Sequence, residues 1–249
     1  MPAKRERLDK LLVERGLVGS RERARRLIMS GEVWVAGRRV DKPGALVPAD
    51  ATPEVRGADI PFVSRGGLKL DAALAHWNID VRGLVAVDVG ASTGGFTDCL
   101  LQRGARHVFA IDVGYGQFAW ALRQDPRVTL FERANIRAFD PANLLELADI
   151  AVIDVSFISL RLVLPAVIKL VLPGAIVLPL VKPQFEVGKT EVGKGGVVRD
   201  QKLQESAVNA VKDCGKALGL TCHGEYPSPI LGPKGNQEFI LYFTVPRAQ

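Results

Sequence analysis

The sequence predicts an α/β protein in which a doubly wound, mostly parallel sheet follows a small N-terminal domain of mixed helix and strand. From residue 61 onward, apolar strand patterns alternate with helical patterns, which is typical of a sheet covered by helices on both faces. Residues 41–60 are rich in proline, glycine, alanine and aspartate, which indicates a last short strand and a linker. We therefore expect two domains in this 249-residue chain, at residues 1–59 and 60–249.

The first domain is predicted to hold two helices and a hairpin. Leucines at positions 8, 11 and 12 have helical spacing, and the pattern ends near Gly16. Ser20 is a typical N-cap for a second helix, which ends at Gly31. The segment VWVAGRRV, at 33–40, predicts a tight hairpin that turns near residues 36–37.

The second domain is predicted to continue as alternating elements. Its last two strands have no helix between them, so they should pair antiparallel. The predicted helices are 67–77, 96–103, 117–123, 159–170 and 202–218, and the predicted strands are 84–89, 107–112, 128–131, 149–154, 174–181, 220–226 and 238–245.

The first quarter of the chain is basic. Residues 1–60 carry 13 lysines and arginines against 9 acidic residues, whereas the remainder carries 20 against 18. This excess fits nucleic acid or an anionic membrane surface, and it fits a merely solvated charged face equally well. The candidate RNA-binding residues are Arg5, Arg7, Arg21, Arg23, Arg25, Arg26, Arg38, Arg39, Arg65 and Lys189.

Targeting, membrane and metal signals are absent from the sequence pattern. The N-terminus has no apolar stretch typical of a signal peptide, and the most apolar segment, 160–181, is interrupted by charges and prolines. The three cysteines are scattered and form neither a zinc motif nor a disulfide framework. We expect a cytoplasmic protein without a metal site and without stable membrane association, whose oligomeric state the sequence leaves open.

The segment AVDVGASTGGFTDCL, at 86–100, is the strongest local motif. A buried strand ends at Asp88, a glycine-rich turn follows, and a helix begins at Gly95 or Phe96. Gly90 permits a tight turn, and glycines 94 and 95 permit a ligand to approach the main chain. The pattern G-x-x-x-G-G differs from the NAD fingerprint and lacks the lysine of a phosphate-binding loop. It resembles the S-adenosylmethionine loop of class I methyltransferases.

Two polar residues follow the next strands of the predicted sheet. Asp112 lies 24 residues after Asp88, where an acid can accept hydrogen bonds from two ribose hydroxyls. Asn135 follows the third strand. Its side chain either contacts an adenine edge or only stabilises a turn by a hydrogen bond to the backbone. The candidate cofactor-binding residues are Asp88, Gly90, Ser92, Gly94, Gly95, Phe96, Asp112 and Asn135.

Two further strands end in charged residues. Asp154 ends the fourth strand, and Lys182 emerges directly from the apolar fifth strand. Because ligands bind at the carboxyl ends of parallel strands, we expect both side chains at one site. Lys69, on the helix after SRGG, and Glu238, at the start of the last strand, are individually weak signals.

Taken together, these segments resemble a known family. The chain resembles the FtsJ/RrmJ-like RNA ribose 2′-O-methyltransferases, which carry a Lys-Asp-Lys-Glu tetrad, and more closely the TlyA family, in which an S4 RNA-binding domain precedes that fold. Residues 5–50 resemble S4, and SRGGLKL, DVGASTGGFTD, AIDVGYGQ, DVSFISL and VKPQFE resemble the catalytic half. The resemblance implies a class I methyltransferase (Rossmann-like) fold and the tetrad Lys69, Asp154, Lys182 and Glu238.

The family also implies an activity and its partners. It implies S-adenosylmethionine as cofactor, cytidine 2′-O-methylation as reaction, and ribosomal RNA or a ribosomal subunit as partner; some members carry the label haemolysin. A ribose hydroxyl must lose its proton as it attacks a methyl carbon, and burial beside a second cation favours a neutral lysine. We therefore predict Lys182 as base and Lys69 as the neighbouring cation, with Asp154 and Glu238 holding the ammonium groups. No metal is needed.

Other hypotheses stay open at this stage. Asp154-Val155-Ser156-Phe157 faintly resembles the D-P-P-[YF] motif of amino methyltransferases, although methylation of a base nitrogen needs no lysine base. A non-catalytic RNA-binding or ribosome-assembly factor and a membrane-lytic protein are the remaining classes. Phe157 could stack on the target base, pack beside the cofactor or lie in the core. Loop 186–200 could form a lid, contact RNA or be a disordered surface loop.

Overall fold

The computed structural model describes residues 5–29, 31–56, 60–188 and 190–247, and it divides after Pro61 into two compact units. The described residues of the first unit form two helices and five short strands. They are β1 (Arg5–Arg7), α1 (Leu8–Glu14), α2 (Arg21–Met29), β2 (Val33–Val35), β3 (Arg38–Arg39), β4 (Leu46–Pro48) and β5 (Pro53–Val55).

The predicted helices and hairpin of the first unit are confirmed. Ser20 caps α2, because its hydroxyl accepts a hydrogen bond from the Arg23 backbone N–H at 3.2 Å. Ala36 and Gly37 both have a positive φ, 50° and 74°, which is the twist that a two-residue hairpin turn requires. The apolar faces of α1 and α2 pack on Val33 of β2 and form a small core of their own.

The strands of the first unit differ from the prediction. Two strands, β4 and β5, lie where the sequence predicted one, and β1 was not predicted. β1 has the sequence Arg-Glu-Arg and therefore no apolar alternation, and it pairs antiparallel with β4, about forty residues further along the chain. Such pairing depends on distant backbone partners, which a local pattern does not encode.

The second unit contains the larger sheet. Its helices are α3 (Gly66–His76), α4 (Gly95–Gln102), α5 (Trp120–Arg123), α6 (Leu160–Val167), α7 (Pro183–Glu186) and α8 (Gln201–Ala217). Its strands are β6 (Val85–Val89), β7 (His107–Ile111), β8 (Val128–Phe131), β9 (Ala148–Ile153), β10 (Val171–Val181), β11 (Thr221–Pro227) and β12 (Phe239–Thr244).

These seven strands form one mixed sheet in the order β11-β12-β10-β9-β6-β7-β8. Strands β6 to β10 run parallel, and β12 lies antiparallel between β10 and β11, so the predicted antiparallel pairing of the last two strands is confirmed. The connections reverse direction between β6 and β9, which creates a crevice at the carboxyl edge of these two strands. The fold class predicted from the sequence is therefore correct.

The short helix α7 was not predicted, and three other element boundaries in this unit differ from the prediction by about three residues. α5 begins at Trp120 rather than 117, because Gly116 has a positive φ of 71° and Ala119 is extended. The helix predicted at 159–170 is α-helical only to Val167, and its last turn is a 3₁₀ helix. β10 begins at Val171 rather than 174, since a register shift against β9 accommodates the predicted turn at Pro173 and Gly174.

The core of the second unit lies between this sheet and its helices. The largest buried side chains include Phe109 of β7 and Phe243 of β12, and α6 contributes Val163 and Leu164. This packing holds the strand ends in place, so that side chains leaving those ends occupy fixed positions. Within the described ranges of the chain, no helix has the length and apolar character needed to cross a bilayer.

Candidate active site

A cavity of about 420 Å³ lies at the carboxyl edge of the sheet. It brings together three residues that are far apart in sequence: Lys69 from α3, Asp154 from the end of β9 and Lys182 from the end of β10. Its wall also includes residues 64–66, the glycine-rich segment after β6, Ser156, residues 230–232 and Lys234. Such a volume is typical of a small-molecule or nucleotide site.

Lys182 is held by two neighbours at this cavity. Its Nζ lies 2.6 Å from Asp154 Oδ1 and donates a hydrogen bond to Ser156 Oγ at 2.8 Å. Only 9% of the Lys182 side chain is exposed, so the charged pair is largely removed from water. Ser156 was not predicted as a site residue, although its position two residues after Asp154, on the same strand-end loop, was a usable signal.

Lys69 is paired with the fourth predicted residue. Its Nζ donates to Glu238 Oε2 at 2.5 Å, and the two side chains are 9% and 0% exposed. Glu238 directly precedes β12, which runs antiparallel and therefore starts at the same edge where β9 and β10 end. Two lysine–carboxylate pairs thus stand at one edge of the sheet, and both lysines line the same cavity.

The glycine loop is shaped by contacts within the protein. A Cβ at Gly90, where φ is +84°, would lie 2.6 Å from the Asp154 carbonyl oxygen, so a glycine is needed for the loops after β6 and β9 to meet. A Cβ at Gly94 would instead meet the Leu122 side chain at 2.5 Å. Gly94 is thus required for close packing against Leu122, whereas the sequence predicted that it permits the approach of a ligand. Gly95 and Phe96 line the cavity.

Asp88 lies beneath this loop rather than on the cavity wall. Its side chain is fully buried and accepts a hydrogen bond from Thr97 Oγ1 at 2.6 Å, while its Oδ1 has no hydrogen-bond partner among the described residues. Burial raises the pKa of the carboxyl to about 7, and the nearby carboxylates of Asp154 and Asp112 add to the increase.

This raised pKa predicts a pH-dependent stability. The folded state binds the Asp88 proton more tightly than the unfolded chain, so the stabilisation is fully present below pH 4 and is lost as pH rises to about 7. We expect Asp88→Asn to remove this loss. Between pH 5 and pH 8, the free energy of unfolding of the variant should rise relative to wild type by roughly 2–3 kcal/mol.

Denaturant titrations at both pH values, without added cofactor, measure this difference. Asp80→Asn is the matched control, since Asp80 is exposed and Arg82 lowers its pKa to about 2, outside the tested interval. Equal pH profiles for wild type and Asp88→Asn would contradict the assignment.

A second cavity, of about 350 Å³, adjoins the first at Gly90, Ser92 and Asp154. Asp112 and Asn135 line it. The Asp112 carboxylate accepts hydrogen bonds from the backbone N–H groups of Ser92 at 2.7 Å and Gly114 at 2.6 Å. A carboxylate has about four lone-pair positions, so these bonds orient Asp112 and leave capacity for hydroxyl donors.

Asn135 caps a short 3₁₀ helix. Its Oδ1 accepts a hydrogen bond from the Arg137 backbone N–H at 3.1 Å, which is turn chemistry. The side chain nevertheless lines the second cavity, so the two roles considered for this residue are compatible.

Phe157 lies on the surface and not in the core. It is 91% exposed, lines the second cavity and has a positive φ of 64°, which is rare for a residue with a bulky side chain. Core packing, one of the three roles considered for Phe157, is therefore wrong.

Three of the arginines predicted to bind RNA have structural partners in the first unit. Arg7 and Arg21 both pair with Asp9, at 2.8 Å and 3.2 Å. The Asp9 side chain is only 1% exposed, and the hydrogen bond from Arg7 lowers the pKa of its carboxyl. Arg5 donates to the Leu46 backbone oxygen, which joins β1 to β4. These residues therefore contribute to the fold of the unit whatever else they bind.

The remaining candidates are placed differently. Arg25, Arg38 and Arg39 are exposed on α2 and on the hairpin, and Arg23 is half-buried. Arg65 is exposed at the rim of the 420 Å³ cavity, near Lys69. Lys189 and the side chain of Arg26 lie outside the described part of the chain.

Comparison with known proteins agrees with this architecture. Residues 62–245 match the family of FtsJ-like methyltransferases, and residues 6–52 match the S4 domain. A solved structure of a protein from Streptococcus thermophilus is 42% identical, with a TM-score of 0.77 over 98% of this chain and 91% of that chain.

Two curated relatives span nearly all of the chain. One is the 16S/23S rRNA (cytidine-2′-O)-methyltransferase TlyA of Mycobacterium tuberculosis, 48% identical over 96% of this chain and 90% of the relative. The other is hemolysin A of Brachyspira hyodysenteriae, 38% identical over 96% of this chain and 100% of the relative. The order of the two domains, the sheet and these identities together show that the chain belongs to the TlyA family of FtsJ-like methyltransferases with an S4 domain.

Proposed function

We propose that this methyltransferase uses S-adenosylmethionine to methylate a ribose 2′-hydroxyl, that of a cytidine in ribosomal RNA. The observation that carries the proposal is the pairing of two buried lysines, Lys69 and Lys182, with Glu238 and Asp154 beside a glycine-rich loop. Methylation of a hydroxyl requires removal of a proton from a weak acid, and a lysine at the reacting atoms can accept it.

The second cavity fits the cofactor. Its volume lies in the range of small-molecule sites, and the oriented Asp112 carboxylate can accept hydrogen bonds from ribose hydroxyls. Asn135 would contact the adenine, and Gly90 and Ser92 would border the amino-acid part. S-adenosylmethionine supplies an electrophilic methyl group when bound. Asp88, buried under the loop, would support its shape rather than touch the cofactor.

The four charged residues have different proposed roles in the methyl transfer. In its neutral form, Lys182 Nζ accepts the proton of the 2′-hydroxyl, while Asp154 and Ser156 hold the amine in place. Lys69, fixed by Glu238, orients the ribose and stabilises negative charge that develops on the attacking oxygen. The fixed positions of these groups at the strand ends reduce the entropy lost in aligning the reacting atoms.

The S4 domain is proposed to hold the RNA. We propose a functional division into an RNA-binding domain at residues 1–59 and a catalytic domain at residues 60–249. The exposed cations Arg25, Arg38 and Arg39 can contact phosphates, which position a protein on RNA without reading its sequence. The curated TlyA relative, named for cytidine-2′-O methylation of 16S and 23S rRNA, supports cytidine as the target.

Mapping of the methylated atom tests the proposal. The full-length protein is incubated with ribosomal subunits and deuterated S-adenosylmethionine, and the RNA is digested to nucleosides for mass spectrometry. We expect the label on the ribose of cytidine. Label on a base would favour the amino-methyltransferase alternative, and absence of label from every subunit preparation, together with absence of cofactor binding by calorimetry, would favour the non-catalytic alternative.

A further inference from the structure

The carboxyl group of Glu186 is buried close to the catalytic lysine, although it has no part in the proposed methyl transfer. The Glu186 side chain is only 1% exposed, and it stands at the end of α7, four residues after Lys182. Burial raises the pKa of this carboxyl, and the hydrogen bonds that it accepts oppose the increase. A buried carboxylate costs free energy unless its oxygens are paired, so the partners of Glu186 indicate what it holds in place.

Those partners lie at the far end of the loop that follows β9. Glu186 Oε2 accepts a hydrogen bond from Ser159 Oγ at 2.6 Å, and Oε1 accepts one from the Leu160 backbone N–H at 2.7 Å. Ser159 is the N-cap of α6, so Glu186 satisfies a backbone donor in the first turn of that helix. Arg161 is a more distant neighbour, because its Nε lies 3.7 Å from Oε2 and half of its side chain is exposed.

The loop between β9 and α6 is therefore anchored at both ends to the segment that carries Lys182. At the start of the loop, Asp154 lies 2.6 Å from Lys182 Nζ, and Ser156 accepts a hydrogen bond from the same atom. At its end, the loop is held by Glu186. Only the single turn of α7 joins Lys182 to Glu186, so these contacts form a closed ring in which a shift at one anchor is transmitted to the other.

The loop inside this ring has a strained conformation. Phe157 has a positive φ of 64°, and residues 154–159 contain no glycine. Such a conformation persists only where the surrounding structure holds it in place. Val155 and Ile158 pack partly against the core and form an apolar anchor, whereas Glu186 forms a polar one. Loss of the polar anchor should therefore loosen the loop without unfolding the domain.

We propose that Glu186 is a positioning residue for the methyl transfer. By fixing the far end of the loop, it keeps Asp154 and Ser156 against Lys182 Nζ, and so holds the amine where it meets the 2′-hydroxyl. Glu186 lines neither the catalytic nor the cofactor cavity, so its effect reaches the reaction only through these residues. The inference rests on the proposed function, and a misplacement of about 1 Å can lower a catalytic rate about 100-fold.

The test measures the single-turnover rate of the full-length protein on ribosomal subunits, with saturating RNA and S-adenosylmethionine. Glu186→Ala removes both hydrogen bonds and should lower this rate roughly tenfold or more. Glu186→Gln should stay within severalfold of wild type, because its amide oxygen can accept from the Leu160 N–H while its nitrogen donates to Ser159 Oγ.

Asp149→Ala is the matched control. Asp149 also accepts a hydrogen bond from a backbone N–H, that of Val85 at 2.8 Å, but it stands at the start of β9, at the edge of the sheet opposite the catalytic cavity. Its removal should leave the saturating rate unchanged. Thermal midpoints and calorimetric binding of S-adenosylmethionine are measured for every variant, so that the rates compare folded and saturated proteins.

A double-mutant cycle separates positioning from a general loss of stability. Because Glu186 is proposed to act through Ser156, the rate losses of Glu186→Ala and Ser156→Ala should not multiply, and the double variant should be roughly as slow as the slower single variant. Ser159→Ala removes one of the two hydrogen bonds from the other partner and should slow transfer severalfold, which keeps the test decisive if Glu186→Ala does not fold.

Two results would overturn the assignment. One is a wild-type saturating rate in folded Glu186→Ala, or in Ser159→Ala where it takes its place, and the other is a cycle whose losses multiply fully. Wild type that transfers no methyl group to any ribose contradicts the proposed function itself, a result distinguishable from failure of this inference alone.

Discussion

Replacement of Lys182 by arginine is expected to abolish methyl transfer. Arginine keeps the positive charge and can still pair with Asp154, but it stays protonated at any working pH and cannot accept the hydroxyl proton. Loss of a general base typically lowers the chemical rate by about 10²–10⁴-fold. Single-turnover measurements with saturating RNA and cofactor report this step directly.

The controls for Lys182→Arg separate chemistry from binding. Affinities for S-adenosylmethionine and for RNA should stay within severalfold of wild type, since the lysine acts mainly in the transition state. Lys169→Arg, at an exposed lysine in the 3₁₀ turn after α6, should retain full activity. A Lys182→Arg protein that turns over at nearly the wild-type rate would rule out Lys182 as the base and leave it a positioning role.

Removal of two exposed arginines from the first unit should weaken RNA binding. In the double variant Arg25→Gln/Arg38→Gln, two candidate phosphate contacts are lost while the pairs around Asp9 stay intact. Affinity should fall at low salt. The slope of log affinity against log salt should decrease by roughly one unit per lost contact, because fewer counterions are released on binding.

A charge-matched variant distinguishes contacts from net charge. Arg82→Gln/Arg127→Gln also removes two positive charges, but these arginines precede β6 and β8, at the edge of the sheet opposite the catalytic cavity. It should leave the salt slope near the wild-type value. If both double variants change RNA binding equally, the first unit contributes only general electrostatic attraction, or none.

Much of the fold was predictable because its signals are local. The alternation of apolar strands with helices identified the parallel sheet, and the absence of a helix between the last two strands predicted their antiparallel pairing. Short strands were harder. β1 consists of charged residues and exists because β4 provides backbone partners, and α5 is shortened by the backbone conformation at Gly116. Neither cause can be read from periodicity.

The part of the candidate site that lies at the carboxyl ends of parallel strands was predictable from the sequence. Asp154 and Lys182 were expected together from topology, and the structure pairs them at 2.6 Å. Lys69 and Glu238 needed the family resemblance, since they are 169 positions apart in the sequence and only the packing of α3 beside the start of β12 brings them together. The burial of Asp88 and the hydrogen bonds of Glu186 were beyond sequence reasoning, because both depend on which atoms surround a side chain in three dimensions.

The position of β12 has a consequence for how the enzyme matures. β11 is synthesised before β12 yet lies outside it in the sheet, so the edge of β10 stays unpaired until β12 inserts between them. The same insertion delivers Glu238 to Lys69. Without this strand the sheet has an open edge at β10 and Lys69 has no Glu238 to pair with. Completion of the sheet and assembly of the charged site therefore depend on the same strand.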